Sequence, residues 1–319
     1  MKVLANDGFS KAAEQVLQNS EIELIEHKVA QSQLAKFIQE NEIEGLVVKN
    51  TTKVDQNLLD ACPNLKLIGK LGNQLDNIDA DAVIDRGIYL LHTPKAVARS
   101  IAELVFAHFF TLARFLHDSN RMMPLEGDTI FTTLKKSYSN AYELEGKTLG
   151  VIGCDASAQE VLKMGISLRM KVFYFDSEQK EVSLEIDFFD GQKLQFTLQS
   201  ELSLDNLLAK SKFISINQRK ESKYIIDFPE IEKMQNGAFL VNAGEAGTVN
   251  EVALVEALDD NKLAGAALDV FEKGTTPELP ILMNTSMSLS PNLGSYTLDA
   301  DDKMAIEMAE LVVKTQKKF

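Results

Sequence analysis

The residues best placed to do chemistry lie in one strand, turn and helix between Lys147 and Asp176. A strand over 148–152 leads into the turn GCDASA at 153–158, and a second strand over 171–176 ends on Asp176. In such a unit a glycine turn brings a nucleotide pyrophosphate to the helix N-terminus, and an acid about 20 residues further on bonds the ribose hydroxyls. The candidate nucleotide-binding residues here are Gly153, Asp155, Ala156, Ser157 and Asp176.

Asp155 stands where this motif carries its second glycine. A carboxylate beside a phosphate costs roughly 1 kcal/mol in bulk water and about 4 kcal/mol at an effective dielectric of about 20. We therefore expect a dinucleotide to be held weakly at this turn. The alternative interpretation is that Asp155 only caps the helix and that Asp176 only ends a strand in solvent.

Composition sets the broad class of protein. The chain has 319 residues, of which 45% are hydrophobic and 25% charged, as in globular proteins with room for two domains. A formal charge of −14 argues against nucleic acid and anionic membranes as partners. Two cysteines suit neither a disulfide framework nor a zinc site, so we expect a cytoplasmic protein without a metal. No run of apolar residues is expected to span a membrane.

Short apolar runs alternate with helical patterns along most of the chain. Strands such as 45–48 and 213–216 alternate with helices such as 31–40, which predicts parallel sheets with right-handed crossovers. A hairpin is expected over 186–197, and an apolar helix over 100–116 is expected to bury against something large. The predicted class is α/β, with two doubly wound parallel-sheet domains of Rossmann-like and flavodoxin-like type.

Two later segments carry a family resemblance. The run VNAGEAGTVNEVAL at 241–254 and the run LAGAALDVFE at 263–272 resemble the D-2-hydroxyacid dehydrogenases, most of all bacterial D-3-phosphoglycerate dehydrogenases without a regulatory domain. The resemblance implies a discontinuous substrate-type domain over 1–97 plus 292–319, and a nucleotide-binding domain over 98–291. It also implies a homodimer, NAD(H) as cofactor, and cofactor contacts at Asn217, Ala243 and Asp269.

Each catalytic position of that family is occupied here by a different kind of side chain. Its substrate-binding arginine is replaced by Glu245, its orienting glutamate by Gly274, and its proton-transferring histidine by Asn292. The remaining histidines lie in segments that the resemblance places away from this pocket.

The substrate loop is altered as well. The resemblance assigns to this loop Lys70, Gly72, Asn73, Gln74 and Lys95, and Gln74 takes the place of a glycine that allows close approach of a ligand. Arg219 and Lys220 follow the fourth strand of the nucleotide-binding domain, where they either meet an anion or lie in a solvated loop.

These replacements favour a catalytically silent relative, kept as a small-molecule sensor or as the partner of an active paralogue. The alternative is an active NAD-dependent oxidoreductase on the CH–OH group of a 2-hydroxy acid, with Lys70, Lys95 or Arg99 as a substitute cation. A third class, an interaction protein without a ligand, stays open.

Overall fold

The computed structural model describes residues 1–18, 20–72, 74–219 and 222–319. They form two compact units. The first unit consists of Met1–Val97 with Ser295–Phe319, and the second consists of Ala98–Gly294.

The strands are short and most are apolar, as expected for strands that are covered on both faces. They are β1 Lys2–Ala5, β2 Glu23–Glu26, β3 Gly45–Val48, β4 Leu67–Lys70, β5 Tyr89–His92, β6 Thr148–Ile152, β7 Lys171–Phe175, β8 Glu181–Asp187, β9 Lys193–Gln199, β10 Phe213–Ile216, β11 Ala238–Asn242, β12 Leu263–Leu268 and β13 Met287–Leu289.

The helices vary from four to twenty residues in length. They are α1 Glu14–Leu17, α2 Gln31–Glu40, α3 Gln56–Ala61, α4 Ala80–Asp85, α5 Pro94–Ala113, α6 Leu116–Glu126, α7 Phe131–Ser137, α8 Ala156–Ser167, α9 Leu204–Lys210, α10 Phe228–Lys233, α11 Glu251–Asp259, α12 Leu279–Met283 and α13 Leu298–Gln316, and a 3₁₀ turn at Lys11–Ala13 precedes α1.

The first unit is built on a five-stranded parallel sheet with the order β2-β1-β3-β4-β5. This is the flavodoxin-like order, in which ligands bind beyond the carboxyl ends of the strands. Helix α13 lies close to the sheet at Gly69, where a Cβ atom would come within 2.8 Å of Met308 Sδ. The sheet is therefore covered by the last helix of the chain at a position that has no side chain.

The second unit is built on a six-stranded parallel sheet with the order β13-β12-β11-β10-β6-β7. The strand order reverses between β6 and β10, which pair in parallel from Leu149 with Phe213 to Ile152 with Ile216. In doubly wound folds a ligand binds at this reversal, at the carboxyl ends of the strands. The predicted α/β class with two doubly wound sheets is confirmed.

The hairpin of β8 and β9 forms a separate two-stranded sheet in the second unit. Its antiparallel register runs from Glu181 with Gln199 to Asp187 with Lys193. The predicted hairpin is therefore present, and its strands are longer than the sequence pattern indicated.

Helix α5 starts and ends earlier than the predicted range 100–116. By length and composition it could cross a membrane, contrary to our expectation that no run is apolar enough, and 61% of its most apolar window is buried inside the structure. A core helix passes the same test, so this signal is weak. Phe106 and Phe109 belong to its buried side.

Candidate functional site

Gly153 brings two loops of the second unit together at the reversal of strand order. Its φ angle is +99°, and a Cβ atom there would lie 2.9 Å from Gln218 N and 3.0 Å from the Asn217 carbonyl carbon. A side chain at 153 would be strained and would also displace backbone. The first glycine of the predicted nucleotide turn is therefore required by the fold itself.

Asp155 caps helix α8. Its Oδ1 atom accepts a hydrogen bond of 2.8 Å from Ala158 N, and its backbone is extended, as at other N-caps. Protein atoms packed around the carboxylate raise the pKa of Asp155, although the residue as a whole is exposed; the N–H groups of Ala158 and Ser157 and the charge of Arg219 act in the opposite direction. The negative charge thus sits at the helix end where a pyrophosphate would rest.

Asp176 follows β7 and binds the chain that comes directly after it. Its Oδ1 atom accepts hydrogen bonds of 2.9 Å from Glu178 N and Gln179 N. Burial, followed by the charges of Asp176 and Asp155, raises the pKa of the Cys154 thiol to about 11. The predicted ribose-binding acid therefore stabilises a turn, and this edge of the sheet carries two carboxylates near the thiol.

Asn217 offers a free donor beside the Gly153 turn. The residue is 4% exposed, and its Oδ1 atom accepts a hydrogen bond of 2.7 Å from Ser215 Oγ. Its Nδ2 atom is buried without a hydrogen-bond partner among the described residues. A buried donor left in this state is costly unless a ligand or water accepts from it, so Asn217 fits an acceptor atom of a bound molecule.

Asp269 lies buried at the end of β12 and binds three donors of its own unit. It accepts hydrogen bonds from Ser290 Oγ at 2.5 Å, Leu293 N at 2.7 Å and Gly294 N at 2.8 Å. Its carboxylate therefore anchors the segment after β13.

His108 extends this network from helix α5. Because Ser290 donates its only hydroxyl hydrogen to Asp269, it accepts from His108 Nε2 at 3.0 Å; His108 Nδ1 then accepts from Ser288 Oγ at 2.9 Å. Burial lowers the pKa of His108, while the charge of Asp269 acts to raise it. The imidazole is thus neutral with both nitrogens bonded. The sequence pattern did not reveal this network, because its members are 180 and 182 residues apart.

The three replaced catalytic positions all lie on loops of the second unit. Gly274 is exposed in a turn with a φ angle of +59°, and a Cβ atom there would contact nothing within 4 Å. Asn292 is exposed, has a φ angle of +56°, and donates its backbone N–H to the Asp269 carbonyl at 2.8 Å. Glu245 is half-buried, and its carbonyl accepts from Thr248 Oγ1 at 2.9 Å.

Two of the other histidines contact residues outside the catalytic positions. His27 stacks on Phe37 with ring centroids 5.3 Å apart, and His117 Nε2 bonds the Thr285 carbonyl at 2.8 Å. His92 is half-buried at the end of β5. The contacts of His27 and His117 do not include a member of the Asp269 network.

Lys70 does not present its ammonium group to a substrate, contrary to its proposed role as a substitute cation. The residue is 2% exposed, and burial lowers its pKa to about 8. Its Nζ atom donates to the Lys49 carbonyl at 2.6 Å, to Asn50 Oδ1 at 2.6 Å and to Asn77 Oδ1 at 2.7 Å. Since an ammonium has three hydrogens, all of them are used inside the first unit.

The rest of the predicted substrate loop is only partly described. Gly72 has a φ angle of +116° and donates its N–H to Thr93 Oγ1 at 2.9 Å, which shapes the loop from within. Gln74 is half-buried and Lys95 is exposed. Asn73, like Lys220, lies outside the described residues. In the second unit Ala243 is buried after β11.

The second sheet, with a glycine turn at the reversal of its strand order, defines a nucleotide-binding type of fold. Residues 106–294 match the D-isomer specific 2-hydroxyacid dehydrogenase, NAD binding domain. The chain belongs to the D-2-hydroxyacid dehydrogenase family, so the resemblance seen in the sequence is confirmed.

Two relatives illustrate the similarity. A hydroxypyruvate reductase of Thermotoga maritima is 33% identical over 319 residues, which cover 98% of this chain and 97% of that protein. A D-3-phosphoglycerate dehydrogenase of Archaeoglobus fulgidus is 33% identical over 321 residues, which cover 99% of this chain and 58% of the relative.

Two solved structures share the fold. A D-2-hydroxyisocaproate dehydrogenase superposes with a TM-score of 0.80 at 20% identity, covering 100% of this chain and 97% of that one. An acyclic imino acid reductase in complex with NADPH and D-Arg gives a TM-score of 0.80 at 19% identity, covering 100% and 98% of the two chains. At these identities the likeness concerns the fold alone.

Proposed function

We propose that this chain keeps the scaffold of a D-2-hydroxyacid dehydrogenase, of the D-3-phosphoglycerate type, without its hydride-transfer chemistry. In this proposal it binds a small molecule as a sensor or pairs with an active paralogue. The observation that carries the proposal is the simultaneous replacement of the three catalytic positions by Glu245, Gly274 and Asn292, which all lie on loops of the second unit.

None of the three replacements can perform the missing step. The amide of Asn292 does not take up a proton near neutral pH, so general acid–base catalysis worth about 10²–10⁴-fold is lost. Gly274 has no side chain with which to orient a base. Glu245 places a negative charge where an anionic substrate needs a cation, and this removes electrostatic stabilisation of the transition state.

The nucleotide turn does not fit a pyrophosphate well. The carboxylate of Asp155 already accepts a hydrogen bond from the Ala158 N–H at the start of α8. One carboxylate oxygen of Asp176 accepts hydrogen bonds from the turn that follows it. Asn217 Nδ2 has no hydrogen-bond partner among the residues that the structure describes and can donate to a ligand. We therefore expect NAD(H) to bind more weakly than in an active member of the family.

The direct test is a turnover assay with NADH and hydroxypyruvate. The proposal predicts no rate above background, whereas enzymes typically turn over at about 1–10³ s⁻¹. An active member of the family, assayed in parallel, shows that the conditions are adequate. Turnover in the usual range with hydroxypyruvate or another 2-keto acid would contradict the proposal.

An active oxidoreductase with rearranged chemistry is the second candidate. The observation in its favour is the buried network of Asp269, Ser290 and His108, which keeps a histidine beside the last loop of the second unit. Its substitute cations are less promising. Lys70 is buried, and Arg99 pairs with Glu103 at 2.8 Å, so Lys95 is the remaining candidate. Loss of a measured activity in Lys95→Met would favour this second function.

A second copy of the chain is the proposed partner. Helix α6 has no buried residue, and α6, α7 and the turn between them expose several large apolar side chains. Exposed apolar surface of this kind marks interaction sites. The residues are Leu116, Met123, Leu125, Ile130 and Phe131. The proposed location is the cytoplasm, since Cys62 and Cys154 are both free and buried, as suits a reducing compartment.

A further inference from the structure

We infer that the first unit carries a binding site for a small zwitterion of the α-amino acid type, formed by Lys49, Asn50, Tyr296 and Asp301. The inference deepens the proposed ligand-binding function by giving its ligand class, and in that sense rests on it. The site is a cavity of about 270 Å³ between the loops that follow β3 and β4 and the start of α13.

The cavity presents both signs of charge side by side. Lys49 Nζ lies 3.0 Å from each carboxylate oxygen of Asp301, and the two side chains remain 29% and 45% exposed. An ion pair with this exposure contributes little to stability, so its partners can turn towards a ligand at small cost. A carboxylate matches Lys49 and an ammonium matches Asp301, which keeps all four charges paired.

Asn50 adds a donor whose direction is determined by the buried Lys70. Because Lys70 can only donate, the atom of Asn50 that it contacts at 2.6 Å is the amide oxygen. The Nδ2 group therefore points the other way, where it donates to Tyr296 OH at 3.0 Å. Tyr296 accepts this bond and keeps its own hydroxyl hydrogen. Lys49, Asn50 and Tyr296 thus form a set of donors suited to one carboxylate.

The remaining walls set the size and polarity of the ligand. Leu71 and Met304, both buried, form apolar parts of the lining. The volume lies just below the roughly 300–1,000 Å³ of pockets for drug-sized ligands, so the cavity suits a molecule of amino acid size. A hydroxy acid would leave Asp301 without a cation, and a simple amine would leave the donor set without an acceptor.

Calorimetric titration of the full chain with amino acids tests the inference. The ligands are glycine and both enantiomers of alanine, serine and leucine. D-Lactate, which lacks the ammonium, and ethanolamine, which lacks the carboxylate, serve as half-ligands. We expect saturable binding of at least one amino acid, and binding of both half-ligands weaker by roughly tenfold or more, the loss expected for a charge-assisted hydrogen bond.

Variants separate the two charges. Lys49→Met and Asp301→Asn are each expected to weaken amino acid binding by roughly tenfold or more. Lys36→Met and Asp299→Asn remove the same charges from surface positions outside the cavity lining, and should bind as the wild type does. Because 62% of Tyr296 is exposed, Tyr296→Phe should fold normally and still bind less tightly, so the inference stays testable if a charge variant fails to fold.

The inference is overturned if no amino acid binds at millimolar concentration, or if D-lactate binds as tightly as the amino acids and Asp301→Asn leaves that binding unchanged. The second result would indicate an anion site. Titration with hydroxypyruvate separates this outcome from the proposed function. Binding of hydroxypyruvate without binding of any amino acid would contradict the amino acid site and would agree with the proposed ligand-binding function.

Discussion

The Asp155 carboxylate accepts a hydrogen bond from the Ala158 backbone N–H at 2.8 Å, at the first turn of helix α8. The same helix end would hold a nucleotide pyrophosphate in an active relative. One side chain thus stabilises the helix and places a negative charge where a phosphate would bind. Stability and nucleotide affinity are therefore expected to change in opposite directions at this residue.

Asp155→Gly is expected to tighten NADH binding by roughly fivefold or more, since even the lower end of a repulsion of about 1–4 kcal/mol corresponds to about that factor. The cost in stability should be only a few tenths of a kcal/mol, because glycine is itself an acceptable N-cap. Calorimetric titration with NADH measures the first effect and thermal unfolding the second. Asp55→Gly, which removes the cap of α3 in the first unit, is the matched control. Equal NADH affinity in Asp155→Gly and wild type would show that the carboxylate does not exclude the nucleotide.

Lys70→Met is expected to destabilise the first unit by about 1–3 kcal/mol, the cost of one acceptor left without a partner. Of the three acceptors of the ammonium, the Lys49 carbonyl keeps a bond of 2.9 Å from Asn77 Nδ2, and Asn50 is exposed to water, so the loss falls mainly on Asn77 Oδ1. Urea unfolding measures the loss, and Lys36→Met, on an exposed helix surface, should change stability little. A Lys70→Met protein as stable as the wild type would argue against this buried role.

Stability should also depend on pH through Lys70. Burial lowers its folded-state pKa to about 8, below the ordinary value of 10.5, so between these values the unfolded chain binds more protons than the folded one. The free energy of unfolding should therefore rise with pH across this window, with a slope approaching one proton, about 1.4 kcal/mol per pH unit. Urea titrations at several pH values measure the slope. It should disappear in Lys70→Met, and an equal slope in that variant would rule out Lys70 as its source.

The apolar surface of α6 and α7 is expected to hold a homodimer together. Leu125 and Phe131 are 73% and 57% exposed, and a charge at either should convert the dimer to a monomer. Light scattering on Leu125→Glu and Phe131→Glu measures the mass. Phe189→Glu is the control, since Phe189 is fully exposed at the tip of the β8–β9 hairpin. A monomeric wild type, or a dimer that survives both substitutions, would contradict this assignment.

Much of the fold could be read from the sequence because buried parallel strands appear as short, continuous apolar runs. The bounds predicted for β3, β6 and β10 agree with the structure. Helix α5 begins at Pro94, earlier than the predicted range 100–116, because proline is well suited to the first turn of a helix. Helices α4, α9 and α10 have six or seven residues, which is less than two turns of apolar periodicity, so the sequence pattern gives little indication of them.

The candidate site was less accessible to sequence reasoning. The replacements at positions 245, 274 and 292 could be recognised in the sequence by comparison with the family's motifs. The residue type alone then shows that the side chains at 274 and 292 cannot transfer a proton. The burial of Lys70 and the link from His108 through Ser290 to Asp269 depend on tertiary contacts between distant segments. The functional roles of the two units and the proposed partner remain predictions.

The most direct measurement is the rate of NADH oxidation with hydroxypyruvate. It compares the wild type with a variant that restores the family's residues through Glu245→Arg, Gly274→Glu and Asn292→His. Both proteins are also assayed with Asp155→Gly added, so that nucleotide binding does not limit the rate. Histidine suits the positive φ angle of Asn292, while glutamate at 274 carries some strain. We predict no turnover by either protein with the native residues at 245, 274 and 292, and measurable turnover once these are restored. Turnover by the wild type at about 1–10³ s⁻¹ would contradict the account.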